Sequence, residues 1–521
     1  MASKHSHSPV FKPYEQQQLL LLPPSLEELI AANHPARIVN TVLNKIDSRP
    51  LLSEYCGGGS SSYHPLALLK LVVYGYMTNV YSSRKLEEAA QQNIVFMWLC
   101  GMNTPDHNTI NNFRGKKLQG PLKSIFVETV KLLAEEGLLS IKDIFSDGTK
   151  MEADANRYTF VWGKGIKTNK EKMASQLEKL WAYAQSVTDK EMEDTVPTNF
   201  ADIDSAKVKS TIEKIDAALK DKPVSKQVKQ KLDNARKKWP DALDRYAEQE
   251  AIMGENRNSY SKTDNDATFM RMKEDHMGNG QLKPAYNMQI STSNQFVTNY
   301  TIHQNATDTN TLKGHLDEHK RCYEQMPEIL TTDAGYGSEE NYEYLEKEQV
   351  TAYVKYSHFD REQHEAIQQK HPFTADKLFY NAKEDCYVCP MGQRMVNKGS
   401  YTKQTTTGFK QTITKYQAQD CSRCPLNGAC HKSQGNRVIE VNHNLNRHKR
   451  DASENLKSEE GLEHRKKRCH DVEPVFGNIK ANHGFKRFML RGMEKVTTET
   501  GLLCLAQNFR KKGAIELKKA A

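Results

Sequence analysis

The spacing of apolar residues divides the chain into two regimes. From about Tyr14 to Gly137 apolar positions recur at helical intervals between short polar turns. Ser25-Leu26-Glu27-Glu28 opens like a capped helix, and Pro65–Met77 predicts another with its proline in the first turn, where the missing N–H leaves no bond unmade. Ser82-Ser83-Arg84-Lys85-Leu86-Glu87-Glu88 starts a third helix, and Pro105-Asp106-His107-Asn108-Thr109-Ile110 leads into a fourth. Short helices on tight turns suit a helix-turn-helix reader of DNA, and a plain helical bundle has the same pattern. Groove binding is the expectation preferred for this module, residues 1–137.

Beyond Leu138 the pattern becomes strand-like. Ile141–Asp147 predicts a short strand that ends on an acid followed by Gly148. Lys164 to about Glu250 is strongly charged, with Leu177, Leu180, Tyr183, Ile212, Ile215 and Leu219 at helical spacing and Pro223 dividing it. This predicts a helical hairpin, residues 166–250, inserted in a β domain. Alternating patterns then predict strands at Ala285–Ser291 and Phe296–His303, a helix over about Thr311–Gln325, and a strand from Ile329 that ends on Asp333. A capped helix at Ser338–Glu348 and a strand at Val350–Tyr356 follow. The order β, insert, β, β, α, β, α, β is that of a ribonuclease H-like sheet. The expected fold class is therefore α+β: a mixed sheet flanked by helices over residues 138–500, with a Cys-rich insertion at 384–432 and a basic C-terminal helix or tail at 501–521.

Composition adds location and partners. The 521 residues are 37% hydrophobic, enough for buried cores. The longest apolar stretch, Leu66–Met77, is interrupted by Lys70 and falls short of the roughly 20 residues of a membrane span. The polar start, Met1–Pro9, and the leucine run Leu19–Leu22 ending at Pro23 lack the organisation of a secretory signal, so a cytoplasmic, nucleoid-associated protein is expected. The formal charge is +9. Residues 431–521 carry 20 Lys and Arg against 11 Asp and Glu, so the whole surplus sits near the C-terminus. Such a patch attracts polyanions, nucleic acid foremost. Arg465-Lys466-Lys467-Arg468, Lys486-Arg487 and Arg510-Lys511-Lys512 are expected to track phosphates without reading sequence.

Two-metal phosphoryl transfer needs several carboxylates at one point, because hard cations prefer oxygen and must touch both nucleophile and leaving group. Asp147 and Asp333 occupy strand ends, each with glycine close behind, which admits a phosphate backbone. Glu473 lies in Asp471-Val472-Glu473-Pro474-Val475-Phe476-Gly477-Asn478-Ile479-Lys480. There Val472, Val475, Phe476 and Ile479 share a helical face, with Lys480 two turns beyond the acid on its side, placed for a phosphate. Glu494 and Glu499 are rivals for the third acid, although their helix runs into Leu502-Leu503-Cys504-Leu505 and reads as packing. Ser261-Lys262-Thr263-Asp264-Asn265-Asp266-Ala267 reads as a structural turn near the site. Of the ten cysteines, Cys386, Cys389, Cys421, Cys424 and Cys430 form a cluster. Two Cys-x-x-Cys knuckles around a β-like stretch fit structural Zn2+, with five thiols for four places.

Taken together, these motifs resemble the DDE transposases of bacterial insertion sequences over nearly the whole chain. Tyr81–Glu87 and Pro105–Arg114 carry the resemblance in the N-terminal module. Asp147-Gly148-Thr149-Lys150, Asp333-Ala334-Gly335-Tyr336-Gly337, and Val472–Gly477 with Lys480 carry it in the catalytic domain, as the family's first Asp, second Asp, and Glu with its trailing Lys. One interval departs: Arg468 stands at a slightly different distance before Glu473 than in many relatives, with Cys469 between. The resemblance implies a metal-dependent polynucleotidyl transferase in which water attacks at an element end and the freed 3′-hydroxyl then attacks target DNA. It implies Mg2+ (or Mn2+) on Asp147, Asp333 and Glu473, with double-stranded DNA, both terminal inverted repeats and target, as partner. Joining two DNA ends favours a homodimer on DNA. Two other readings stand beside it: a catalytically inactive DNA-binding regulator derived from a transposase, and a scaffold that pairs with another protein through the charged helical insert.

Overall fold

The computed structural model describes residues 25–55, 62–187, 200, 202–255, 257–272, 280–363 and 372–520. Met1–Pro9, Leu19–Leu22 and the start of the helical regime at Tyr14 lie outside them. Thirteen strands are described: β1 (Asp143–Glu152), β2 (Phe160–Trp162), β3 (Ser259–Ser261), β4 (Thr268–Arg271), β5 (Leu282–Ser293), β6 (Phe296–His303), β7 (Ile329–Thr332), β8 (Thr351–Val354), β9 (Phe379–Asn381), β10 (Cys386–Val388), β11 (Arg394–Gln404), β12 (Lys410–Ala418) and β13 (Val438–Val441).

The central sheet is mixed, in the order β4-β5-β1-β7-β8, with β6 also paired to β5. β1 runs antiparallel to β5 and parallel to β7, and β7 runs parallel to β8. The chain is therefore α+β, as its periodicity implies. β1 is longer than expected. It does not end at Asp147, because Gly148 to Glu152 continue the ladder with β5 through Gln289 to Ala285. Pairing to β7 stops at Phe145, so the strand's second edge opens two residues before the acid.

One continuous apolar core joins the N-terminal helices to this sheet. It contains Leu43 and Val72 from the helices Pro35–Lys45 and Pro65–Met77, Phe126, Ile290 and Val297, and Val472, Val475, Leu502 and Phe509 from the C-terminal part. Helix Met493–Ala520 runs unbroken across position 500 and packs against Pro65–Met77, Pro121–Glu135 and β6. No helix among the described residues is long and apolar enough to cross a membrane.

The charged insert holds three described helices, Gly163–Val187, Ser205–Leu219 and Lys226–Met253, where a hairpin was expected. The middle one has its own start: Asp204 accepts a bond from the Lys207 N–H at 2.7 Å. The three share a core of Leu177, Leu180, Trp181, Ile212, Ile215, Leu232 and Trp239, which a two-helix hairpin of this length could not enclose. Between β8 and Glu473 lies a second, antiparallel sheet, ordered β13-β12-β11-β10-β9. It reaches from Phe379 to Val441 and so extends past the cysteine knuckles on both sides.

Candidate active site

Asp147 sits midway along β1 and Asp333 directly follows β7, so these adjacent parallel strands bring the two acids side by side where their pairing stops. Glu473 arrives on the helix Glu459–Gly477, which lies across β1, β5 and β7. That helix buries Val472 and Val475, and Ile479 continues the face in the turn that follows. Polar contacts fix its register as well. The His464 ring stacks on Tyr353, with centroids 4.7 Å apart, and on Phe145 at 5.8 Å. About two turns further on, Asp471 accepts the Thr292 hydroxyl at 2.6 Å and the Gln295 N–H at 3.2 Å. Arg468, one turn after His464, therefore faces the sheet.

The Arg468 guanidinium is where the three acids meet. Its Nη1 lies 3.0 Å from Glu473 Oε1, and its Nη2 lies 3.4 Å from Asp147 Oδ2 and 3.8 Å from Asp333 Oδ2. Burial opposes the charge on Arg468, but Asp147, Asp333, Glu473 and Cys469 together outweigh it and raise its pKa above the usual value. Asp147 also accepts the Gly148 N–H at 2.8 Å, and Asp333 accepts that of Gly335 at 2.8 Å. Lys480 lies in the π-helical turn Asn478–Asn482 and donates to the Lys150 carbonyl at 2.9 Å, which ties it to β1.

A fourth acid, Asp308, belongs to the same neighbourhood. It follows β6, and its Oδ1 accepts Asn287 Nδ2 at 2.8 Å and Gln289 Nε2 at 2.9 Å, both from β5. The Tyr336 hydroxyl donates to Gln289 Oε1. Burial, and then Asp308, Asp147 and Asp333, hold the Tyr336 pKa well above its ordinary value. Unlike Asp333, which directly follows β7, Asp308 begins a short 3-10 turn some way past the end of β6 at His303, so the strand-end signal that marked Asp333 did not mark it. This array gives Gly148 a second reason to be glycine, since an added Cβ would collide with Gln289 Nε2 and Asp308 Oδ1.

Glu499 is not part of this group. It is fully buried and accepts the Tyr76 hydroxyl at 2.6 Å and the N–H groups of Met489 and Leu490 at 2.9 and 3.1 Å. Burial raises its pKa against the pull of Arg114 and these donors. Glu494 is exposed at the start of the last helix. Asp264 is bound by the Tyr286 hydroxyl, at 2.9 Å to each oxygen, and Asp266 accepts the Met493 N–H at 2.8 Å. Those two acids hold the entry of the last helix.

The basic runs divide. Arg510 donates to the carbonyls of Met77 and Tyr76 at 2.7 and 2.6 Å, Lys511 to Gln295 at 2.7 Å, and Lys512 pairs with Glu136 and Glu516. The expectation that Arg510-Lys511-Lys512 tracks phosphates therefore gives way to a role inside the fold. Arg487 pairs with Asp154 at 2.7 Å, whereas Lys466 and Lys486 are exposed.

Of the five clustered cysteines, Cys389, Cys421, Cys424 and Cys430 line one small cavity of about 20 Å³, and Cys386 is not among its walls. Among the described residues, no three His, Cys, Asp or Glu side chains stand in the arrangement of a formed metal site. At the Asp147 site the donor chemistry nevertheless suits a hard cation, because three carboxylates already share one positive group.

A mixed sheet on which carboxylates of neighbouring strands meet, under a helix that brings a further acid, defines a class of protein whose site is suited to hard cations. Comparison with known proteins narrows this. Residues 388–512 match the family described as Transposase DDE domain, and residues 24–116 match Transposase domain (DUF772). The two matches support a DDE-type transposase of an insertion sequence. The first span contains Arg468, Glu473 and Lys480, and Asp147 and Asp333 fall between the two spans. No curated protein and no solved structure matches the chain.

Proposed function

We propose that this transposase cleaves and rejoins DNA at the ends of its element with Asp147, Asp333 and Glu473 as its catalytic acids. The observation that carries the reading is their convergence on the single Arg468 guanidinium from two strands and a helix. The strand order, with antiparallel β5 and β6 on one side of β1 and parallel β7 and β8 on the other, supports a ribonuclease H-like sheet. Asp147, Asp333 and Glu473 are the residues that would hold Mg2+ or Mn2+. When bound, the metal lowers the pKa of the attacking oxygen and stabilises charge on the leaving one.

The chain's own residues supply the rest. Asn287, Gln289 and Tyr336 hold Asp308 beside the site, which keeps the local charge negative and the floor rigid. Arg468 pairs with the acids in the structure and is the group a metal would displace from them. Lys480, held at β1 through the Lys150 carbonyl, and the exposed Lys466 and Lys486 supply cations for the phosphates beside the cut. The N-terminal helices are left as the part that reads the terminal repeats.

The test is cleavage of labelled DNA carrying the element's terminal inverted repeats, in Mg2+ or Mn2+. Asp147→Asn, Asp333→Asn and Glu473→Gln should each abolish cleavage while retaining end binding in a gel shift. Full activity of Asp333→Asn would overturn the assignment. Binding by the wild type with no cleavage in either metal would favour an inactive DNA-binding regulator.

A further inference from the structure

The strands β9 to β13 form a sheet with little to hold it. Its buried apolar cluster is Tyr387, Met395, Tyr416, Ala418, Cys421, Ile439 and Val441. The connection from Ala418 to Val438 has no strand or helix of its own among the described elements. A small core with a long irregular loop is the circumstance in which folds use a covalent or metal staple.

The cysteines sit where a staple would act. On β10 the side chains alternate, so Tyr387 enters the small core and Cys386 takes the opposite face. Cys386 is buried there, with its Sγ 3.9 Å from Glu384 Oε2. Cys389 lies just past the strand on the Tyr387 side, in a turn closed by the Gly392 N–H donating to the Cys389 carbonyl at 2.8 Å. The Gln393 N–H points to Cys389 Sγ at 3.3 Å. Across the cavity the Arg437 N–H points to Cys421 Sγ at 3.4 Å, and Arg437 Nη1 donates to Cys430 Sγ at 2.8 Å. Cys424 completes the lining. N–H groups directed at sulfur orient and support thiolate ligands of a metal. Arg437 is itself 7% exposed, and a buried guanidinium needs negative charge beside it, which a tetrathiolate zinc centre with its net negative charge provides. His431 also lines the cavity; its Nδ1 is bonded to Ser433 Oγ at 2.8 Å, and its buried Nε2 has no hydrogen-bond partner among the described residues.

We propose that Cys389, Cys421, Cys424 and Cys430 bind one structural zinc ion, and that Cys386 takes no part. The four thiols close onto the metal from the positions they hold around the cavity and lose their protons to solvent as it binds. The centre fixes the loop that feeds β13 and, through it, the segment leading to the helix of Glu473. Its existence is independent of whether the Asp147 site cleaves DNA.

The full chain, purified under reducing conditions without added metal, should contain stoichiometric zinc by elemental analysis. Replacement by Co2+ should give the thiolate-to-cobalt charge-transfer band of a sulfur-rich tetrahedral site. Cys386→Ser and His431→Gln should keep the zinc, and Cys421→Ser and Cys430→Ser should lose it. Should those last variants fail to fold, peptide-resolved alkylation of the wild type decides. Cys389, Cys421, Cys424 and Cys430 should be protected until a chelator is added, and labelling at these four that is unchanged by the chelator would overturn the proposal. A metal-free protein whose cysteines are paired as disulfides would also overturn it, as would zinc lost from His431→Gln and retained in Cys430→Ser.

Discussion

Replacing Arg468 with glutamine should make the protein less stable without metal and bind divalent metal more tightly. The Arg468 side chain is 12% exposed and that of Asp147 is 9% exposed, so their 3.4 Å pair is largely shielded from solvent. Removing one partner of such a pair costs about 3–5 kcal/mol, because the other charge is left buried. Glu473 is 53% exposed and adds less than about 1 kcal/mol despite its 3.0 Å contact; Asp333, 38% exposed at 3.8 Å, adds a similarly small amount. The Asp147 pair therefore dominates, and about 3 kcal/mol is the least loss expected in EDTA. A metal entering the wild-type site must displace the guanidinium, whereas in Arg468→Gln that one competitor is gone. At about 1.4 kcal/mol per decade, 3 kcal/mol corresponds to metal binding up to roughly 100-fold tighter. Urea midpoints in EDTA and across a Mg2+ series measure both quantities on the same protein, and adding Asp147→Asn to the variant should remove the gain. The reasoning is refuted if Arg468→Gln matches the wild type in EDTA and its Mg2+ affinity stays within about threefold.

The two rivals for the third acid should separate cleanly. Glu473→Gln should leave the urea midpoint nearly unchanged and abolish cleavage. Glu499→Gln, which disturbs the buried contacts to Tyr76, Met489 and Leu490, should cost about 2–3 kcal/mol and preserve cleavage per folded molecule. Gly148→Ala should reduce cleavage by pushing Gln289 and Asp308 out of place, and its loss should exceed that of Gly477→Ala, where an added Cβ meets nothing within 4 Å. Burial lowers the pKa of both His303 and His319 from 6.5 to about 4. Their folded-state pKa values lie below the unfolded ones, so the stability they contribute is present above pH 6.5 and is lost as pH falls toward about 4. Each histidine contributes up to about 3 kcal/mol to that slope. Urea midpoints should fall steeply across the window, and a flat profile would contradict the burial argument.

How much of this was legible beforehand depended on the range of the forces involved. Pro65–Met77 and Phe296–His303 have the bounds their patterns predict, because proline at a helix start and alternation along a strand are local signals. β1 ran past Gly148 because its ladder partner, β5, lies far along the chain, and continuous pairing outweighed the local break. The third helix of the insert was hidden by a similar limit: periodicity marks apolar faces but does not say how many are needed to close a core.

The site shows the same division more sharply. Asp333 could be named because a strand end is a local feature, Asp147 because an acid followed by glycine stands out in a strand pattern even though β1 runs on past it, and Glu473 because its neighbours mark one helical face. What joins them could not be read. Arg468 meets Asp147 across 321 positions, and its direction is set by His464 stacked on Tyr353 one turn earlier and by Asp471 bound to Thr292 three residues later. Asp308 depends likewise on Asn287 and Gln289 from a neighbouring strand. Cys386 is instructive in the opposite direction. Its Cys-x-x-Cys spacing suggested a shared knuckle, yet strand alternation alone was enough to put Cys386 and Tyr387 on opposite faces. A motif names candidate ligands, and the secondary structure beneath it decides which of them can reach the same point. For the acids that secondary structure is a helix laid across parallel strands, so the decisive residue is the one that sets the helix register. His464→Ala, with the acids untouched, should therefore lower cleavage while leaving end binding intact, and a variant of undiminished activity would show that the apolar face of Val472 and Val475 sets the register unaided.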